Sequence, residues 1–183
     1  MCKLRLVSIV KAVALTGFSA LALTVQANNH DHSHDHHASH HSHEMVDYSA
    51  QFAAAMPTTD VTIEQCWLRL LPKHLPSAGY FIIHNNSDDE VELLAAASPS
   101  YKHIMLHETI HEDGMAKMQS AGKLIIPAQA SLGFVPGGLH AMFEQPTAEL
   151  TVGETMQIEL LFDHHRKLSV ECKVNPAKAR AYE

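Results

Sequence analysis

Basic residues are scarce in this chain: 13 Lys+Arg stand against 20 Asp+Glu in 183 residues, the formal charge is −7, and nowhere do the cations cluster. That leaves no electrostatic footprint for a nucleic acid. No apolar run reaches the roughly 20 residues that span a bilayer. Cysteine occurs only 3 times and never as C-x-x-C, which weakens a thiol-redox role. Neither a G-x-S-x-G elbow nor a P-loop is present, so nucleophilic and nucleotide chemistry have no motif, and an enzyme is not expected. A charged share of 18% beside 46% hydrophobic residues excludes a disordered chain for the body of the protein. The length suits one ordinary domain with a real core.

Histidine is what the chain has in excess. There are 16, and eight of them fall between His30 and His43. Imidazole is the commonest metal-binding side chain, so metal handling is the first expectation.

The chain divides into three parts. Lys3, Arg5 and Lys11 precede the apolar run Ala12 to Val25, which closes on Val25-Gln26-Ala27. A basic start, a short apolar middle and a small-x-small end make residues 1–27 a secretory signal peptide. Cys2 lies before the apolar run, not after it where a lipid-modified cysteine would stand. Cleavage after Ala27 removes three cations and no acid. The remainder is expected in the periplasm, acidic, without a membrane anchor and in a compartment that oxidises thiols.

Residues 28–58 read as a mobile His-rich segment and linker. His30, His32, His34 and His36 alternate, His36-His37 and His40-His41 form pairs, His43 follows, and Asp31, Asp35 and Glu44 lie among them. Such a segment buries too little to offset its ordering entropy, so disorder is expected. Many imidazoles on a flexible chain assemble Cu(II), Zn²⁺ or Ni²⁺ sites with little selectivity. Cleavage would also expose an amine followed by Asn28, Asn29 and His30, a square-planar nitrogen set suited to Cu(II) or Ni(II). Val46 to Pro57 is weakly helical and has no assigned place.

Residues 59–183 read as short strands between turn signals: Val61–Leu71, Tyr80–Asn85, Val91–Ala97, His103–Ile110, Ala116–Gln119, Gly122–Ile126, Ser131–Phe134, Leu139–Phe143, Met156–Phe162 and Lys167–Val174. Many strands and no long helical pattern predict an all-β, antiparallel β-sandwich. Met156, Ile158, Leu160 and Phe162 alternate with Gln157 and Glu159, giving that strand one buried face. Cys66 and Cys172 fall in the first and last strands, and a disulfide between them is one option, two separate buried thiols the other.

The chemistry concentrates between His103 and Met142. Asp113-Gly114 is a strong hairpin signal, since both residues tolerate the positive φ of a type I′ turn. That turn opposes Glu112 to Met115, Thr109 to Met118 and His107 to Ser120, placing His107 and Met118 on one face as diagonal neighbours. His140 and Met142, two apart, also share a face. If the loop Pro136-Gly137-Gly138 brings their strand beside the hairpin, two imidazoles and two thioethers converge. Thioether sulfur is a soft neutral donor that selects Cu(I). His103, Met105 and His111 share His107's face and are further candidates, as supporting groups or alternative ligands. His74, His84 and His164-His165 are expected in solvated loops.

The spacing His107, ten residues, Met118, twenty-one residues, His140, one residue, Met142 resembles the motif of the periplasmic copper chaperones that supply the Cu(A) centre of cytochrome oxidase. The flanking AGYFIIHNNSDDEVELLAAASP, LHETIHEDGMAKM and VPGGLHAMF resemble that family too, so the likeness covers about Val61 to Val174. It implies a cupredoxin-like β-sandwich that holds Cu(I) through His107, Met118, His140 and Met142. It also implies a copper-accepting partner such as cytochrome oxidase subunit II or another copper-assembly protein, and a monomer. Some members carry a second Met after the first His; here Glu108 stands there. Many place a His/Met-rich tail at the C-terminus, whereas this chain ends KVNPAKARAYE. Two other readings stay open: a zinc, nickel or copper buffer dominated by the His-rich segment, and an electron-transfer cupredoxin.

Overall fold

The computed structural model describes residues 46–182. Residues 1–27, read above as a signal peptide, and the whole His30–His43 cluster therefore lie outside the described residues.

Eleven strands and one short helix follow in the order α1 (Ser49–Ala54), β1 (Met56–Pro57), β2 (Val61–Arg69), β3 (Ser77–Asn85), β4 (Val91–Ala97), β5 (Tyr101–Glu112), β6 (Met115–Ser120), β7 (Leu124–Ile126), β8 (Ser131–Phe134), β9 (His140–Pro146), β10 (Thr155–Phe162) and β11 (Arg166–Asn175). Each of the ten sequence-predicted strands is present. The stretch ahead of Val61 is tied to the same body: β1 runs parallel to β11, and Lys167 Nζ donates to the Phe52 carbonyl at 3.0 Å.

The strands hydrogen-bond in the order β6-β5-β9-β3-β2-β11-β10-β4-β7, with β8 on β3 and β1 on β11. Most junctions are antiparallel, but β2 and β1 both pair parallel to β11, so the sheet is mixed. Only the three residues 98–100 link β4 to β5, which lie near opposite ends of that order. A link so short forces the sheet to fold over on itself. Its inner faces close on Phe81, Phe134, Phe143, Phe162, Ile83, Ile158, Leu160 and Val174, all at most 2% exposed. Each such side chain contributes about 1.5–3 kcal/mol on burial. β10 buries Met156, Ile158, Leu160 and Phe162 as its alternation predicts.

Two irregularities shape the sheet. A bulge between Glu64 and Trp67, with Gln65 at φ 51°, turns Cys66 into the core, where it forms a disulfide with Cys172. The second lies between β8 and β9, which share one edge of β3. Phe134 opposes Phe81 while Ala141 opposes Gly79, so five residues, 135–139, are extruded from what is otherwise a continuous pairing.

Candidate metal centre

The hairpin forms in the expected register, with Glu112 opposite Met115, Thr109 opposite Met118 and His107 opposite Ser120. Asp113 at φ 51° and Gly114 at φ 76° make the turn. On its other side β5 pairs with β9, and there His107 opposes His140 directly. The two imidazole centroids are 6.0 Å apart with their planes at 90°. The next rung sets Met105 against Met142, and the one after it His103 against Glu144. Between these rungs Ile104 opposes Phe143 and Leu106 opposes Ala141, and that set packs on the core. Period-2 alternation thus sends Met105, His107, His140 and Met142 to the other side of the sheet. Met118, opposite Thr109, projects to that side too, and is 54% exposed.

The extruded loop orients His140. Val135 N–H donates to the Leu139 carbonyl at 2.8 Å and closes the loop, while Thr109 N–H donates to the Gly138 carbonyl at 3.2 Å and fastens it to the hairpin. The same carbonyl stands 3.0 Å from His140 Nδ1. A carbonyl only accepts, so Nδ1 carries the proton and Nε2 keeps its lone pair for a ligand. His140 is only 6% exposed, so its ring has little freedom to turn away. No side-chain pattern encodes this role for the Gly138 carbonyl; the glycine-rich loop in the sequence is its one trace.

Glu108 lies on the opposite face and accepts from Gln119 Nε2 at 2.6 Å. Residues 107–111 also spell H-E-x-x-H, a zinc-hydrolase pattern whose chemistry needs a helix. Here it runs along β5, so His107 and His111 stand four strand residues, about 13 Å, apart. Among the described residues no group of three or more His, Cys, Asp or Glu side chains is placed to hold a metal.

The remaining histidines scatter. His164 and His165 form the β10–β11 turn at positive φ and are exposed, as expected, and so is His74. His84 departs from the expected solvated loop and lies, as the predicted strand Tyr80–Asn85 has it, inside β3, with Nδ1 2.7 Å from Ser131 Oγ and Nε2 3.4 Å from Glu64. The strand runs one residue beyond it, to Asn85, whose buried amide ties down the loop that follows.

A family model described as "Putative lipoprotein LpqE-like" matches residues 61–174. An uncharacterised protein of Rickettsia prowazekii, RP573, is 30% identical over 99 residues, 54% of this chain and 55% of that protein. The chain spans between about half and three fifths of the curated relatives it matches. The solution structure of CuI-DR1885 from Deinococcus radiodurans is 33% identical, with a TM-score of 0.50, over 67% of this chain and 81% of that one. The apo PCuAC domain of PmoF2 is 19% identical and shares the fold at a TM-score of 0.56, over 67% of this chain and 94% of that one. The fold is thus the cupredoxin-like one of the PCuAC domains. The chain belongs to the LpqE-like, PCuAC-type family.

Proposed function

We propose that this protein is an exported, periplasmic copper chaperone that holds one Cu(I) ion through His107, His140, Met118 and Met142. It passes the ion, ligand by ligand, to a copper-accepting protein such as cytochrome oxidase subunit II or another copper-assembly protein. The supporting observation is the His107–His140 rung, with His140 turned by Gly138 so that Nε2 is left to bind. Flexible thioethers flank that rung on both sides. Two imidazoles and two thioethers bring no net charge, which suits a monovalent ion better than Zn²⁺. Neutral donors can also be displaced singly without stranding a charge. The copper-bound structures among the relatives, CuI-DR1885 and a PCuAC domain of PmoF2, support copper as the cargo.

The His30–His43 segment gathers or buffers Cu(II), with Zn²⁺ or Ni²⁺ as competitors. An electron-transfer cupredoxin needs a free thiolate ligand, and both domain cysteines are spent in the disulfide.

The test is competition between the mature protein and a chromophoric Cu(I) chelator. In His107→Ala/His140→Ala the tight Cu(I) site should weaken at least about a hundredfold, or about 2.7 kcal/mol. Affinity should also fall as pH falls, because protons compete for imidazole nitrogen but not for thioether sulfur. If the double variant holds Cu(I) as tightly as the parent, the His-rich buffer reading replaces this one.

A further inference from the structure

Three successive rungs on the outward side of β5 and β9 pair metal-binding side chains: His103 with Glu144, Met105 with Met142, and His107 with His140. Directly opposed residues have Cβ atoms about 4.5–5.5 Å apart, and successive rungs are about 6.8 Å apart along the strands. Met105, His107, His140 and Met142 therefore occupy four adjoining positions, a closed block of two sulfurs and two imidazoles. Met118 lies elsewhere, one rung beyond His107 on edge strand β6 and more than half exposed. Met105 is half-buried and sits between Ile104 and Leu106, which pack on the core while it faces away. It is not filling an interior gap.

Resting on the copper reading above, we infer that Met105 is a further ligand of the same ion, interchangeable with Met118. The two thioethers flank His107 from opposite directions along the sheet. With His107, His140 and Met142 in common, either one completes a four-donor set. The exposed Met118 is then the donor a partner displaces first. Met105 moves in as Met118 leaves, so the ion keeps its coordination while it is transferred. No electron or proton changes hands: one neutral sulfur replaces another on Cu(I).

The experiment uses mature protein loaded with one equivalent of Cu(I), read by X-ray absorption and chelator competition. Met118→Ala and Met105→Ala should each keep two sulfur neighbours and lose less than tenfold in affinity. Met105→Ala/Met118→Ala should show one sulfur and bind at least tenfold more weakly than either single variant. Loss of one sulfur in Met118→Ala, with no further change on adding Met105→Ala, would overturn the inference while leaving the chaperone site in place. Absence of sulfur in the parent protein would instead overturn the site itself, and this inference with it.

Discussion

Two neighbouring patches on the outward side of the sheet are finished in opposite ways. Around β2 and β3 that side is sealed. Trp67, Ala78 and Tyr80 meet Ala179 of the C-terminal tail, and all four are at most 8% exposed. The Trp67 and Tyr80 rings pack 4.5 Å apart, and Arg69 Nη2 donates to the Tyr80 hydroxyl at 2.5 Å. One strand along, Met142 stands opposite Ala78, and from there to Met118 the same side carries imidazoles and thioethers, of which Met118 is 54% exposed. The first patch adds apolar burial and so stability. The second places donor side chains where further apolar groups could stand, and leaves Met118 exposed. Stability should therefore reside in the core and the sealed patch, and metal affinity in the open one.

The largest effect expected from that separation is on the disulfide. Cys66 and Cys172 close a loop with a sequence separation of 106, worth about 4–5 kcal/mol in the chain-entropy account. Cys66→Ala/Cys172→Ala should lower unfolding stability by an amount of that order in a urea titration. Its Cu(I) affinity at 25 °C should stay within about threefold of the parent. A parallel loss of copper binding would show that the two regions are coupled and break the comparison.

Gly79 sharpens it, because it lies on the line between the patches. It opposes Ala141, and a Cβ there would stand 2.5 Å from Phe143 Cε2, on the strand that carries His140 and Met142. Gly79→Ala must push that ring aside, at a cost of about 1–3 kcal/mol. Here copper affinity should fall as well, since β9 shifts against β5 and takes His140 out of line with His107. Unfolding and Cu(I) titrations on the one variant check both. Unchanged affinity beside reduced stability would mean that the loop contact at Gly138, rather than the docking of β9 on β3, aligns the imidazoles.

Much of this was legible in the sequence, for local reasons. Asp113-Gly114 fixes the hairpin register because few residue pairs accept two positive φ values. The alternation in β10 reports a strand with one buried face. The approach of β9 to β5 could be written only as a condition, because it depends on contacts distant in sequence. The five-residue extrusion arises from pairing 77–85 against 131–146, and no short window contains it. The parallel junctions of β11 and the bulge at Gln65 are hidden for the same reason. At His84 two signals conflict, since the strand pattern Tyr80–Asn85 contains it while Asn85-Asn86-Ser87 marks a turn, and in the fold the strand prevails and carries His84 to Glu64 and Ser131.

The smallest effect concerns the sealed patch and its neighbour Tyr101. Burial pushes the Tyr80 phenol above its ordinary 10.0, with the Arg69 guanidinium pulling the other way. Burial likewise raises Tyr101, against a hydrogen bond with Ser77. In both cases the folded chain holds the phenolic proton more tightly than the unfolded chain. The associated stability is fully present below about pH 10 and declines as pH rises through the raised folded values. Denaturant titrations between pH 9 and about 11 should therefore show a steeper fall for the parent than for Tyr80→Phe/Tyr101→Phe, which has no phenol to ionise at either site. Equal slopes would mean that these rings are solvated well enough to ionise in place, and that the tail closes over Trp67 and Tyr80 less firmly than their burial implies.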